Sequence, residues 1–220
     1  MALTKFNYNS FDVTSAASTA LGFNASANGF ATINPGSMTL IKTLTASSDS
    51  TLSFVDGSSD VVLDNTYPVY LFKFINMHPA TDGAEFQVGF RDGGTDYDAI
   101  KTTTGFLAIH TESDSETGLN NRSALDGQAQ NTGFLNLNLN LGNDNDQSLS
   151  GSMFLFNPSS TTFVKHFMTD VQYSQNTDGS INYRCAGYCN TTTAIDGVQF
   201  KMSSGNIDAG TIKLYGVKDS

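Results

Sequence analysis

The chain has 220 residues, enough for one β-sandwich without a second domain. Charged residues are only 15% and the net charge is −10, so the polar surface must be built largely from Ser, Thr, Asn and Gly. An acidic chain with no basic run repels a phosphate backbone, which argues against a nucleic-acid partner. No stretch approaches the roughly 20 apolar residues of a membrane helix, and no membrane association is expected. Met1 to Asn9 holds one Lys and no apolar run, so no secretory signal is expected either.

Residues 1–36 differ from the rest. They carry small residues and scattered Phe without alternation, and they predict an extended N-terminal arm anchored by Phe6, Phe11, Phe23 and Phe30 on a neighbour or on the body. Ser15 is placed to cap a short helical turn over Ala16 to Leu21.

From residue 37 the period becomes two. In SMTLIKTLTA, Met38 and Leu40 share one face and Thr39, Ile41 and Thr43 the other; Leu52 and Phe54 follow before an Asp56-Gly57 turn. Val69 to Met77 predicts a central strand with Tyr70, Phe72 and Phe74 on one face and Leu71, Ile75 and Met77 on the other. Both faces are largely apolar, the pattern of a strand covered on both sides. Pro68 and Pro79 bracket it. Phe86, Val88 and Phe90 alternate in the next strand, and TTTGFLAIH predicts another. Residues 111–131 form a long polar insertion, the best candidate for an exposed contact-making segment, with a short helix around Ser123 to Ala129.

GFLNLNLNLG shows the cleanest alternation. Leu135, Leu137, Leu139 and Leu141 are expected inside, and Asn136, Asn138 and Asn140 outside. Ser150 to Phe156 puts Met153 and Leu155 on one face and Phe154 and Phe156 on the other. Asn157-Pro158-Ser159-Ser160 then turns the chain into a return strand begun by Phe163 and Val164. DGSINYRCAGYCNTTTA, residues 178–194, adds another strand. Ala194 to Val217 closes the chain as two strands and a tight connection, SSGNIDAG, with Val198, Phe200 and Met202 buried in the first and Ile212, Leu214 and Gly216 in the second. The expected fold is all-β: an antiparallel, jelly-roll-like β-sandwich of about ten strands over residues 37–220, with the arm at 1–36.

Residues that could carry chemistry are few. His78, His110 and His166 are not spaced to share a metal, and no nucleophile elbow or HExxH helix supports a hydrolase. Acidic clusters at Asp92–Asp98, at Glu112, Asp114 and Glu116, and at Asp144 and Asp146 lie in turns; calcium bridging several such loops stands as the alternative to plain Asx-rich turns. Cys185 and Cys189 would sit about 13 Å apart on one strand, too far for a disulfide unless the chain turns between them, so half-buried free thiols are expected. No catalytic, cofactor-binding or metal-ligating residue is assigned, no cofactor is expected, and the chain is read as a non-enzyme.

LIKTLTASSDSTLSFVDG, YPVYLFKFINMHPATDGAEFQVGFRDGGTDY, SGSMFLFNPSSTTFVKHF and the closing SSGNIDAGTIKLYG together resemble a type of tailed-bacteriophage virion protein frequent among phages of marine bacteria and cyanobacteria. The resemblance covers about residues 37–218. It implies a jelly-roll-like sandwich in the virion, displayed as a capsid decoration or cement, or as a fibre or other tail component. It also implies capsid or tail proteins as partners, and assembly as a homotrimer. The alternative is a non-catalytic, lectin-like receptor protein at a tail tip. That reading predicts a groove with exposed Tyr, such as Tyr173, Tyr183 or Tyr188, that binds a host surface glycan.

Overall fold

The computed structural model describes residues 20–23, 30–33, 37–121 and 128–218. The proposed arm anchors Phe6 and Phe11, the Ser15 cap and most of the helix expected at 123–129 lie outside these residues. Where the early helical turn was expected to end, Ala20 and Leu21 belong to a strand: β1 (Ala20–Phe23) pairs antiparallel with β2 (Phe30–Ile33) as a separate two-stranded sheet.

Twelve strands make the sandwich, and no helix occurs among the described residues. They are β3 (Met38–Asp49), β4 (Thr51–Val55), β5 (Val69–Pro79), β6 (Phe86–Arg91), β7 (Lys101–Thr111), β8 (Thr117–Asn121), β9 (Leu135–Asn136), β10 (Leu149–Phe156), β11 (Lys165–Gln175), β12 (Gly179–Cys189), β13 (Gly197–Met202) and β14 (Ile207–Val217). The large sheet has eight strands in the order β3-β14-β5-β10-β11-β12-β7-β8, the small one four in the order β4-β13-β6-β9, and every pairing is antiparallel.

This order is a jelly roll. Let β3, β4, β5, β6, β9, β10, β13 and β14 be strands one to eight in chain order. The sheets then read 1-8-3-6 and 2-7-4-5, two interleaved Greek keys in which most connections cross between the layers. The β7–β8 and β11–β12 hairpins are inserted into this frame, and both extend the large sheet on one side.

The alternation read from the sequence decides which face of each strand points inward. Phe54, Phe86, Val88, Phe90, Val198 and Phe200 from the small sheet are fully buried against Tyr70, Phe72, Phe74, Phe167, Ile212 and Leu214 from the large one. Phe200 sits at the centre. Its ring lies 5.2 to 6.3 Å from those of Phe54, Phe72, Phe74 and Phe86, stacked on the last and edge-on or tilted to the others. Gly216 leaves the slot in which the Tyr67 ring lies, since a Cβ there would overlap that ring.

Several expectations are corrected. The closing pair is not a hairpin: β13 belongs to the small sheet and β14 to the large one. The link between them crosses the end of the sandwich, with Ser203 N–H donating to Glu85 and Ala80 N–H to the Asn206 carbonyl. Met77 does not share a face with Leu71. Asn76 adopts a positive φ of 50° in a bulge, which turns Met77 into the core and leaves Ile75 outside. The return strand starts at Lys165, not Phe163, which is 70% exposed in a bend. The polar insertion folds back at Thr111–Glu116 into β8, so part of it is sheet.

The Leu–Asn segment is the largest departure. All four leucines are buried as expected, but only Leu135–Asn136 is a strand. The small sheet has half as many strands as the large one, so it cannot cover the inner face of the inserted hairpins. Residues 137–142 leave the ladder and close that gap, with Leu139 N–H donating to Tyr173 Oη and Leu141 bridging Ala84 and Gln175. Asn138, expected outside, is fully buried. Its Oδ1 accepts from Phe86 N–H at 2.5 Å and its Nδ2 donates to Ala84 O at 3.3 Å. The side-chain amide supplies the bonds a continuing strand would have made.

Candidate interaction surface

The outer face of the large sheet is not covered by any element among the described residues, and its composition is unusual for a wet face. Cross-strand pairing sets Leu40, Tyr215, Leu71, Phe154, Met168, Ala186 and Thr104 in one continuous row across seven strands. Beside it run Met38, Val217, Val69 and Phe156, and then His166, Tyr188 and Thr102. Met38 is 50% exposed, Leu40 51%, Phe154 38% and Met168 55%. Phe154 and Phe156 stack at 6.2 Å between ring centres, and His166 meets Tyr188 edge-on at 6.0 Å. Ala186 and Thr104 are short between these larger side chains, which produces two shallow hollows of about 360 and 470 Å³ that share Thr104, Met168 and Ala186.

The next row is charged. It runs Thr43, Lys213, Lys73, Ser152, Asp170, Arg184 and Phe106. Arg184 Nη2 pairs with Asp170 Oδ2 at 2.8 Å, and Asn182 Nδ2 donates to the other oxygen at 2.8 Å. Lys73 and Lys213 stand directly opposite each other with no acid in ion-pair range among the described residues. Like charges at opposed positions are unfavourable in an isolated sheet.

The double-apolar pattern of β5 therefore has a local meaning. The small sheet covers Tyr70, Phe72 and Phe74, while Lys73 and Ile75 on the other side stay exposed. The strand reads as covered twice; among the described residues the small sheet covers one side, and on the other Leu71 is buried while Lys73 and Ile75 are exposed.

The other candidate groups are dispersed. His78 Nδ1 lies 3.7 Å from Asp208, His110 Nε2 3.0 Å from an exposed Asp114, and His166 stands apart on the outer face. Among the described residues no three His, Cys, Asp or Glu side chains converge to hold a metal ion. Tyr173 and Tyr183 are in the core and cannot stack on a sugar; of the three tyrosines considered for a glycan groove, Tyr188 alone reaches the surface. A polar cleft at the end of the sandwich is lined by Glu112, Asp146, Gln147 and Asp178.

The interior face holds groups that sequence reasoning missed. Lys165, Cys189 and Lys101 form one inward row across β11, β12 and β7, all fully buried. Lys101 Nζ donates to the carbonyls of Ala99 and Thr132, and Lys165 Nζ to those of Thr191 and Thr193. Burial lowers the pKa of both amines. Each ammonium ties down a loop end, so the role is structural; an inward-phase Lys at each strand start was the available signal. Burial pushes the Cys189 thiol up to about 12, and Cys185 and Cys189, which form no disulfide, are fully rather than half buried. We expect neither thiol to react with Ellman's reagent at pH 8 until the chain is unfolded. Rapid reaction of one thiol in the native state would contradict this burial.

Fold and surface together define a jelly-roll sandwich with an apolar, cation-edged sheet face that no other described element covers. Compared with protein-family models, with curated proteins and with solved structures, the chain matches none.

Proposed function

We propose that the chain is a structural subunit of a tailed-bacteriophage virion, an outward-displayed β-sandwich serving as a capsid decoration or fibre component. Residues 1–36 attach it or knit subunits together, and the domain from residue 37 presents its surface to neighbouring copies in a homotrimer. The observation that carries this reading is the open apolar face of the large sheet. Its two apolar rows span about 34 Å across seven strands and about 13 Å along them, roughly 450 Å². An apolar patch of a few hundred Å² rimmed by charged residues is the kind of surface that partners use. Jelly rolls serve many roles, so the fold alone does not assign one; the virion setting rests on the resemblance over residues 37–218.

Labelling purified virions with an antibody to residues 37–220, followed by imaging, tests the reading. The label is expected on the head lattice or along the tail of intact particles. Removal of residues 1–36 is expected to abolish incorporation. Particles that lack the protein altogether would overturn the proposal.

A further inference from the structure

The face has two chemistries, an apolar band and a lysine couple with no acid in ion-pair range among the described residues, and its occupant must answer both. We infer that it is covered by a second copy of this chain, through the turn and outer strand of that copy's β7–β8 hairpin. Charge distribution points there. Among the described residues the outward rows of this face carry Lys73, Lys213, Arg184 and Asp170; the rest of the chain carries eight basic and twenty acidic residues. The face is thus the cationic surface of an acidic molecule, and its best complement is another part of the same molecule.

The β7–β8 hairpin has the matching composition. Leu119 on β8 is 72% exposed, an apolar knob at the sheet edge. Glu112 and Glu116 flank its turn and are exposed, while Asp114 is already paired with His110 at 3.0 Å. Leu119 against the Met38–Leu40 end of the band would bring the two glutamates toward Lys73 and Lys213. Leu119 stands opposite the outward Ala108, so the hairpin and the Met38–Leu40 end lie at opposite edges of one sheet face. This inference rests on the homo-oligomer in the proposed function but not on the virion setting.

Sedimentation velocity of the full chain at low salt tests it. Oligomers are expected at about 100 µM or below. The double variant Lys73→Glu/Lys213→Glu is expected to weaken association at least about tenfold, as is Glu112→Lys/Glu116→Lys, and combining the four changes is expected to restore it. Met168→Glu, at an exposed position, is expected to dissociate the oligomer while leaving the circular dichroism spectrum unchanged. A monomer at about 100 µM, an oligomer indifferent to the lysine or Met168 changes, or a four-fold variant that stays dissociated would each overturn the inference. A monomer found in virions would leave the virion reading standing; an oligomer absent from them would leave this inference standing.

Discussion

Truncating Phe200 to Ala will destabilise the domain by about 3–5 kcal/mol. Phe200 is fully buried on β13, the second strand of the small sheet, and four phenylalanine rings from both layers surround it within 6.3 Å. Removing it takes away the apolar area and also the edge-on and stacked contacts, and the neighbours cannot collapse into the gap without pulling two sheets together. Such a loss is a large fraction of the ~5–15 kcal/mol that holds a typical domain folded. Urea unfolding followed by tyrosine fluorescence measures it. Phe163→Ala is the control, because that ring is 70% exposed; a change within about 0.5 kcal/mol is expected. Equal effects at the two positions would contradict the packing described for Phe200.

Asn138→Ala is expected to cost about 1–3 kcal/mol, from one orphaned backbone donor. Phe86 N–H would lose its partner in a fully buried setting, where water cannot replace it, while Ala84 C=O keeps the Leu141 N–H at 3.1 Å. The effect should be local before it is global. Residues 137–142 are held to β6 by this amide and to β11 by Tyr173 Oη, so hydrogen exchange of the Leu137 and Leu139 amides should rise more than that of β13. Asn140→Ala, at an exposed position with positive φ of 52°, touches neither backbone group. Matching losses at Asn138 and Asn140 would show that the buried amide is not what holds the segment.

These two positions mark how far the sequence could be read. Phe200 was legible because strict alternation in a strand leaves one choice of inward face. Asn138 was not: the same period-two rule that placed the leucines correctly put every Asn outside. The rule holds only where a continuous ladder keeps the pleat, and past Asn136 the pairing is reduced to single bonds and the isolated bridges of Leu141. Met77 failed for a related reason, since one bulge residue reverses the phase of everything after it. Of the candidate surface, the sequence contained the residues and even the sign, in the double-apolar β5 and the chain's acidity. It could not show that Leu40, Leu71, Phe154 and Met168 form one row, because they lie on four strands separated by up to 128 positions in the chain.

Local pattern alone determined that this chain makes antiparallel sheet, which residues make its core and where most strands begin. Those outcomes depend on neighbours two residues apart, which any reader of the sequence can see. The tertiary structure decided the jelly-roll order, the separation of β13 from β14, the burial of Lys101 and Lys165, and the open face. Each of these depends on which strands meet across the chain, and pairing partners far apart leave no mark in the spacing of either one.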